Sequence, residues 1–179
     1  FVAAVILTLF LLSKVYLQHL PFDLSRDTQA YILLNLIFCF SLVLLEIFRL
    51  LDLPIYLFPL PMNIMLISIL INSSIAFFAN LIISFVLAVI YNFSLSIFIY
   101  FFSAGVISVF ETFSVRHRRD IMRAGLYVSG MQIVVTVFLK LTGQVGRVSF
   151  NQLLIISVVN GLISAVLVIG ILPYLEMIF

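Results

Sequence analysis

The sequence predicts an all-α protein, a polytopic bundle of seven transmembrane helices. Of its 179 residues, 65% are hydrophobic and only 9% are charged, whereas soluble domains are about half apolar and roughly a quarter charged. No Asp, Glu, Lys, Arg or His occurs in residues 53–110, a run long enough for nearly three crossings of about 20 residues each. The apolar stretches are continuous and do not alternate in polarity, which favours helices over a barrel.

Apolar runs separated by polar or Pro/Gly positions predict the individual spans. Residues 1–179 are treated as one transmembrane domain, with spans near 1–19, 29–49, 55–71, 74–91, 94–114, 121–141 and 150–172. The breaks carry turn residues or charges and fall at 19–27, 51–54, 72–74, 92–94, 115–120 and 142–147. The third and fourth spans are near the short limit for a crossing, so a re-entrant hairpin is an alternative there.

Both ends of the sequence suggest a piece of a longer protein. It begins at the apolar Phe1 without an initiator Met and stops at Phe179 after an amphipathic tail. A signal peptide needs a basic leader and a small-residue cleavage site, and neither flanks residues 1–13. We therefore expect the first segment to be a true span.

The distribution of basic residues predicts the orientation, because Lys and Arg accumulate in short cytoplasmic loops. With seven spans, one side of the membrane holds Lys14, Arg26, Arg116, Arg118, Arg119 and Arg123. The other side holds Arg49, Lys140 and Arg147. We therefore expect a multi-pass protein of the cell membrane with a cytoplasmic C-terminus. The basic loop at 116–119 most simply meets anionic headgroups, and no nucleic-acid partner is expected.

Small and amide side chains recur at helical spacing inside several spans and indicate close helix packing. In the fourth span, Asn72, Ala76, Asn80, Ser84 and Ala88 lie every four residues along one face. The last span carries Asn160 and the series Ser157, Gly161 and Ala165, while the sixth carries Gly125 and Ser129. We assign Asn80, Ser84, Asn160 and Gly161 to helix packing, with a polar ligand pocket around Asn80 as the alternative.

Charged residues near the span ends have simple structural interpretations. Glu46 and Arg49 are three apart and are expected to pair at the outer interface. Lys14 is expected to extend to the headgroups. Glu111 is expected either to pair with Arg118 or Arg119 or to take part in coupling.

No catalytic constellation is present in the sequence. There is no pair of Cys or His at metal-ligand spacing and no Gly-rich phosphate loop. The single Cys39 lies between two Phe residues, where it is expected to pack. We therefore predict that this chain is not itself an enzyme and has no catalytic, cofactor-binding or metal residues.

The last span ends in a distinctive pattern. Asn160-Gly161 is followed by Gly170, Pro173, Glu176 and Phe179, which form Gly-x-x-Pro-x-x-Glu-x-x-Phe. Further features are the Pro-rich start of the third span (Pro54, Pro59, Pro61) and the basic loop running into Arg119, Arg123 and Gly125. Together they resemble the membrane region of the seven-transmembrane HD phosphohydrolases, bacterial enzymes whose best-known members degrade cyclic di-AMP.

The resemblance implies a function for the region. In that family an extracellular domain precedes the spans, and a cytoplasmic HD domain with a metal-binding His/Asp set follows them. This chain would be the anchor and the signal-transducing region of a metal-dependent cyclic-di-AMP phosphodiesterase, with the divalent metal held in the absent domain. Its partners would be the lipid bilayer and its own extracellular and cytoplasmic domains, with a homo-oligomer left open.

The exit pattern also has a physical interpretation. Gly weakens a helix interior and Pro donates no backbone hydrogen bond, so Gly170 and Pro173 are expected to loosen and end the last span. Gly170, Pro173, Glu176 and Phe179 would then pass a change in helix packing to the catalytic domain.

Two other functions fit the same composition. A small-molecule transporter, or its substrate-binding membrane subunit, would show a polar cavity at the membrane midplane and discontinuous helices. The absence of charge in the third to fifth spans and the lack of an obvious internal repeat argue against it, whereas the short, Pro- and Asn-interrupted hairpin of the third and fourth spans favours it. A purely structural anchor without a sensing role is the third option.

Overall fold

The computed structural model describes residues 28–113, 115, 117–143 and 149–178. Within these ranges the chain forms six α-helices and no strand, which confirms the predicted all-α class. The helices are α1 (Thr28–Leu50), α2 (Leu60–Leu70), α3 (Ser73–Ile90), α4 (Leu95–Thr112), α5 (Arg118–Leu141) and α6 (Phe150–Ile178), and a single 3₁₀ turn (Ile55–Leu57) precedes α2.

The predicted count of seven spans is not confirmed. Five helices of the described ranges are long and apolar enough to cross a membrane: Ile32–Leu50, Ser73–Ile90, Leu95–Thr112, Arg118–Leu141 and Phe150–Met177. The predicted span at 1–19, with Lys14 and Arg26, lies outside the described residues. The predicted span at 55–71 is where sequence and structure differ.

Residues 55–71 form a 3₁₀ turn followed by the 11-residue helix α2 instead of one continuous span. A helix of this length is about 16 Å long, roughly half of the hydrocarbon thickness of a bilayer. Pro59 explains the break. Pro59 donates no backbone hydrogen bond and restricts the residue before it to extended backbone, and Phe58 indeed has φ −60° and ψ 122°.

The last helix continues beyond the point where we predicted its end. Helix α6 contains Pro173 in its interior and runs to Ile178. Leu175 explains the continuation, because this side chain lies beyond the proline and is still buried in the hydrophobic core. Burial of an apolar side chain stabilises the last turn and offsets the backbone hydrogen bond that Pro173 cannot donate. The prediction that Pro173 ends the span was therefore wrong.

Four helices form a ring. Helix α5 packs against α4 and α6, and α2 packs against the same two helices from the other side. Helix α3 packs against α2 and α4, and α1 contacts α2. Side chains of α2 are buried from Leu60 to Ser68, so that this short helix lies inside the protein.

The outward faces of the long helices are apolar. Leu126, Val134, Ile155 and Val166 are exposed on α5 and α6. Apolar side chains that face outward all along a helix are typical of a lipid-facing surface. The chain is thus a multi-pass membrane protein with apolar outward faces.

Candidate functional site

The end of α6 meets the start of α5 at a cleft of about 190 Å³. Pro173 and Glu176 line it from α6, and His117 and Arg118 line it from the N-terminus of α5. Apolar side chains form the rest of its wall: Ile69, Val115, Ile121, Ile169 and Leu172. The ends of α2 and α6 and the start of α5 therefore lie at the same end of the bundle.

The residues of the exit pattern do not form one cluster. Pro173 and Glu176 share the cleft, but a Cβ atom added to Gly170 would meet no atom within 4 Å, so this glycine borders open space. Phe179 lies outside the described residues. The cleft thus brings together one turn of the pattern, from Pro173 to Glu176, and the beginning of the basic segment.

The basic residues lie on the surface at this end. Arg118 and Arg119 are exposed in the first turn of α5, where the Asp120 carboxylate accepts a hydrogen bond from the His117 N–H at 2.9 Å and caps the helix. Arg123 donates to the Tyr127 hydroxyl, with 3.4 Å between Nη2 and the oxygen, and stacks over that ring. Arg116 lies outside the described residues.

The two expected ion pairs have different outcomes. Arg49 Nη1 lies 4.0 Å from Glu46 Oε2, which confirms that pair at the end of α1. Both side chains are more than half exposed, so the pair contributes little to stability. Glu111 forms no ion pair with Arg118 or Arg119 in the part of the chain that the structure describes.

A side-chain amide of α6 holds the irregular segment before α2. Asn160 Nδ2 donates to the carbonyl oxygens of Tyr56 at 2.9 Å and Phe58 at 3.2 Å. Asn160 is fully buried and lies about 15 Å along α6 from Phe150, near the middle of a span. Non-helical backbone is tolerated at such depth only when protein or water satisfies its polar groups. Asn160 supplies that partner.

A network of hydroxyl groups continues from Asn160 toward α4 and α5. Ser157 Oγ donates to the Leu153 carbonyl at 2.8 Å, so it can only accept from its other neighbours. These are Tyr100 OH at 3.2 Å and Thr136 Oγ1 at 3.0 Å. The Tyr100 hydroxyl also faces the Asn160 side chain. Tyr100 of α4 thus reaches across the ring to α6.

Two further amides of the interior have no partner. Asn63 on α2 and Gln132 on α5 are both 0% exposed, and neither the oxygen nor the nitrogen of either side chain has a hydrogen-bond partner within the described ranges. Neither amide is among the site residues predicted from the sequence. Their signal was available, because each is an amide inside a predicted span, where polar side chains are costly and often functional.

Small residues allow α5 and α6 to approach closely. A Cβ atom at Gly161 would overlap Ser129 Oγ and lie 2.6 Å from the Gly125 carbonyl oxygen. Ser129 Oγ also donates across the interface to the Val158 carbonyl at 3.0 Å. The backbones of the two helices are therefore in direct contact at Gly161.

Asn80 and Ser84 lie in a similar contact between α3 and α4. Asn80 Nδ2 donates to the Phe102 carbonyl at 2.9 Å, and Ser84 Oγ donates to Asn80 Oδ1 at 3.3 Å. A Cβ atom at Gly105 would overlap the Asn80 amide. The glycine on α4 thus makes room for the asparagine on α3.

Among the described residues, no three His, Cys, Asp or Glu side chains come together in a way that could hold a metal ion. The described residues instead form a cleft between two helix ends and an interior that contains polar but no charged side chains. A family model for a "7TM receptor with intracellular HD hydrolase" matches residues 1–179, the whole chain. The chain belongs to this family. It is thus a membrane region of the HD-hydrolase type.

One curated relative of this membrane region is the cyclic-di-AMP phosphodiesterase PgpH of Bacillus subtilis (strain 168). The two sequences are 26% identical over 186 residues, which cover 96% of this chain and 26% of the relative. The chain therefore spans about a quarter of the length of the curated relative. No solved structure matches the chain.

Proposed function

We propose that this chain is the membrane anchor and the signal-transmitting region of a metal-dependent, HD-type cyclic-di-AMP phosphodiesterase. It couples an extracellular domain to a cytoplasmic catalytic domain, and the divalent metal belongs to the catalytic domain. The match of the family model along all 179 residues carries this proposal. The relative named a cyclic-di-AMP phosphodiesterase supports the substrate.

The cleft at the end of α6 is the proposed point of coupling. Helix α6 is continuous through Pro173. A shift of its N-terminal half therefore moves Glu176 as well. Glu176 faces His117 and Arg118 across the cleft. Opposite charges therefore line the two sides of the cleft, and their separation changes when α6 moves relative to α5. A signal acts through it when the two arrangements differ in their affinity for the signal.

The test uses the full-length protein in lipid nanodiscs. Glu176→Gln removes the charge that faces Arg118, and Pro173→Ala restores the backbone donor of α6. Both should change basal cyclic-di-AMP hydrolysis several-fold without changing the amount of inserted protein. Met177→Leu is the matched control, since Met177 is 80% exposed next to Glu176. Hydrolysis equal to wild type in both test variants would remove the coupling role.

The discontinuous start of α2 favours transport as a second candidate function. The non-helical backbone at Tyr56 and Phe58 lies against the buried Asn160 of α6, and transporters bind substrate at such interrupted helices. The coding sequence beyond Phe179 separates the two proposals. An HD-type set of His and Asp residues there supports the phosphodiesterase anchor, whereas a stop codon shortly after Phe179 supports the transporter.

A further inference from the structure

The interior of the ring formed by α2, α4, α5 and α6 combines polar groups with an absence of charge. Tyr100 and Ser157 hydrogen-bond to each other there, and Asn160 bonds to the backbone carbonyls of Tyr56 and Phe58. Every Asp, Glu, Lys and Arg of the described residues lies outside α2 and α3 and toward the ends of the other helices. An ionic ligand would find no opposite charge here, so the interior suits neutral molecules.

Gln132 lies beside the hydrogen-bonded network. It stands three residues after Ser129 and four before Thr136, and both of these bond to α6, at Val158 and Ser157. Residues at this spacing share one face of a helix. The Gln132 side chain therefore belongs to the face of α5 that packs on α6, at the height of the network.

Asn63 lies on the opposite side of the ring. It lies in the first turn of α2, a few residues after Phe58, whose carbonyl accepts a hydrogen bond from Asn160. Like Gln132, it is fully buried and its amide has no partner in the described part of the chain. Buried amides in native proteins nearly always have a partner, and where none is visible an internal water or ligand is the usual explanation.

We propose that the interior of this ring binds small neutral molecules that both donate and accept hydrogen bonds, and that the amides of Gln132 and Asn63 hold them. The chemistry required is that of a carboxamide, a hydroxyl compound or water. Because both amides are 0% exposed, the molecule is small and enters when the helices separate. Its role as a signal rests on the proposed function, but its binding does not.

The experiment uses the full-length protein in nanodiscs and acetamide as the probe. Millimolar acetamide should raise the midpoint of thermal unfolding of the wild type in a saturable way, and Gln132→Met should abolish this response. Asn151→Leu removes an exposed amide from α6 and is the matched control. If acetamide has no effect but Gln132→Met and Asn63→Leu lower the midpoint by roughly 3 °C or more, the bound molecule is water, which also supports the site.

A second measurement needs no substitution and covers variants that fail to fold. In protein labelled with ¹⁵N-glutamine, solid-state NMR should show that the Gln132 amide receives magnetisation from bound water or shifts when acetamide is added. An amide that does neither would overturn the proposal. So would variants as stable as the wild type that leave the acetamide response unchanged.

These readouts are independent of hydrolysis. A site that binds acetamide while cyclic-di-AMP hydrolysis stays constant keeps this inference and removes the signalling role. Altered hydrolysis in Glu176→Gln, together with a Gln132 amide that contacts no water and does not respond to acetamide, would support the proposed coupling and overturn this inference.

Discussion

Asn160 and Tyr56 are 104 positions apart in the sequence, yet the side-chain nitrogen of one lies 2.9 Å from the backbone carbonyl of the other. The Phe58 carbonyl accepts from Asn160 as well, but it also accepts from the Leu60 N–H at 2.8 Å. The Tyr56 carbonyl thus depends more on Asn160. This contact allows non-helical backbone to lie inside the bundle.

Replacing Asn160 by Leu should therefore destabilise the protein. The Tyr56 carbonyl would stay buried without its donor, which lowers the free energy of unfolding by about 1–3 kcal/mol. Equilibrium unfolding of the full-length protein in detergent micelles measures this change. Asn151→Leu, on the exposed face of the same helix, should differ from wild type by less than about 0.5 kcal/mol. Equal stability of both variants would show that Asn160 does not hold the segment before α2.

Two glycines of the α5 and α6 pair should respond to alanine with opposite signs. A Cβ atom at Gly161 lies 2.6 Å from the Gly125 carbonyl oxygen, and overlap with backbone forces the helices apart. We expect Gly161→Ala to lower the free energy of unfolding by about 1–3 kcal/mol. Gly130 has open space around its Cβ position, so Gly130→Ala should raise the free energy by up to about 1 kcal/mol. Stabilisation by both substitutions would exclude direct backbone contact at Gly161.

The contact between Gly105 and Asn80 predicts a rescue. Gly105→Ala displaces the Asn80 amide from the Phe102 carbonyl, and Asn80→Ala removes the amide altogether. Once the amide is absent, the added methyl group at position 105 meets nothing that it can displace. The double variant should therefore be more stable than the sum of the single effects by about 1–2 kcal/mol. Thermodynamic additivity in this double-mutant cycle would argue against the contact.

The orientation of the bundle can be measured with two single cysteines. Phe113 follows the end of α4, Thr142 follows the end of α5, and both are exposed; Cys39→Ser removes the native thiol. A membrane-impermeant maleimide should label Thr142→Cys in intact cells but Phe113→Cys only after permeabilisation. Labelling with the reverse preference would place the end of α6 outside the cell and remove the coupling to a cytoplasmic domain.

Local patterns in the sequence were sufficient for most helices. The apolar run predicted at 74–91 is the helix Ser73–Ile90, because the Asn72 side chain accepts from the Ser74 N–H at 2.7 Å and caps its start. Such caps and apolar runs involve residues that are close in sequence, so they can be predicted without knowing the fold.

The interior of the bundle could not be predicted in this way. That α2 is short follows from Pro59, but its place inside the ring depends on Asn160, a residue about a hundred positions later. At Pro173 the sequence alone predicts the end of the helix, because proline donates no backbone hydrogen bond. The helix continues there because Leu175 is buried in the core. For Asn63 and Gln132, spacing along one helix gives no information about which groups of other helices are within reach.

The structure of α2 also has a consequence for biosynthesis. Residues 55–70 are apolar enough to be candidates for insertion into the membrane during translation. Their helix, however, is too short to cross the bilayer alone. The donor that satisfies the Tyr56 carbonyl is synthesised about one hundred residues later, on α6. The buried Tyr56 carbonyl thus gains its side-chain donor only when translation of the membrane region is nearly complete.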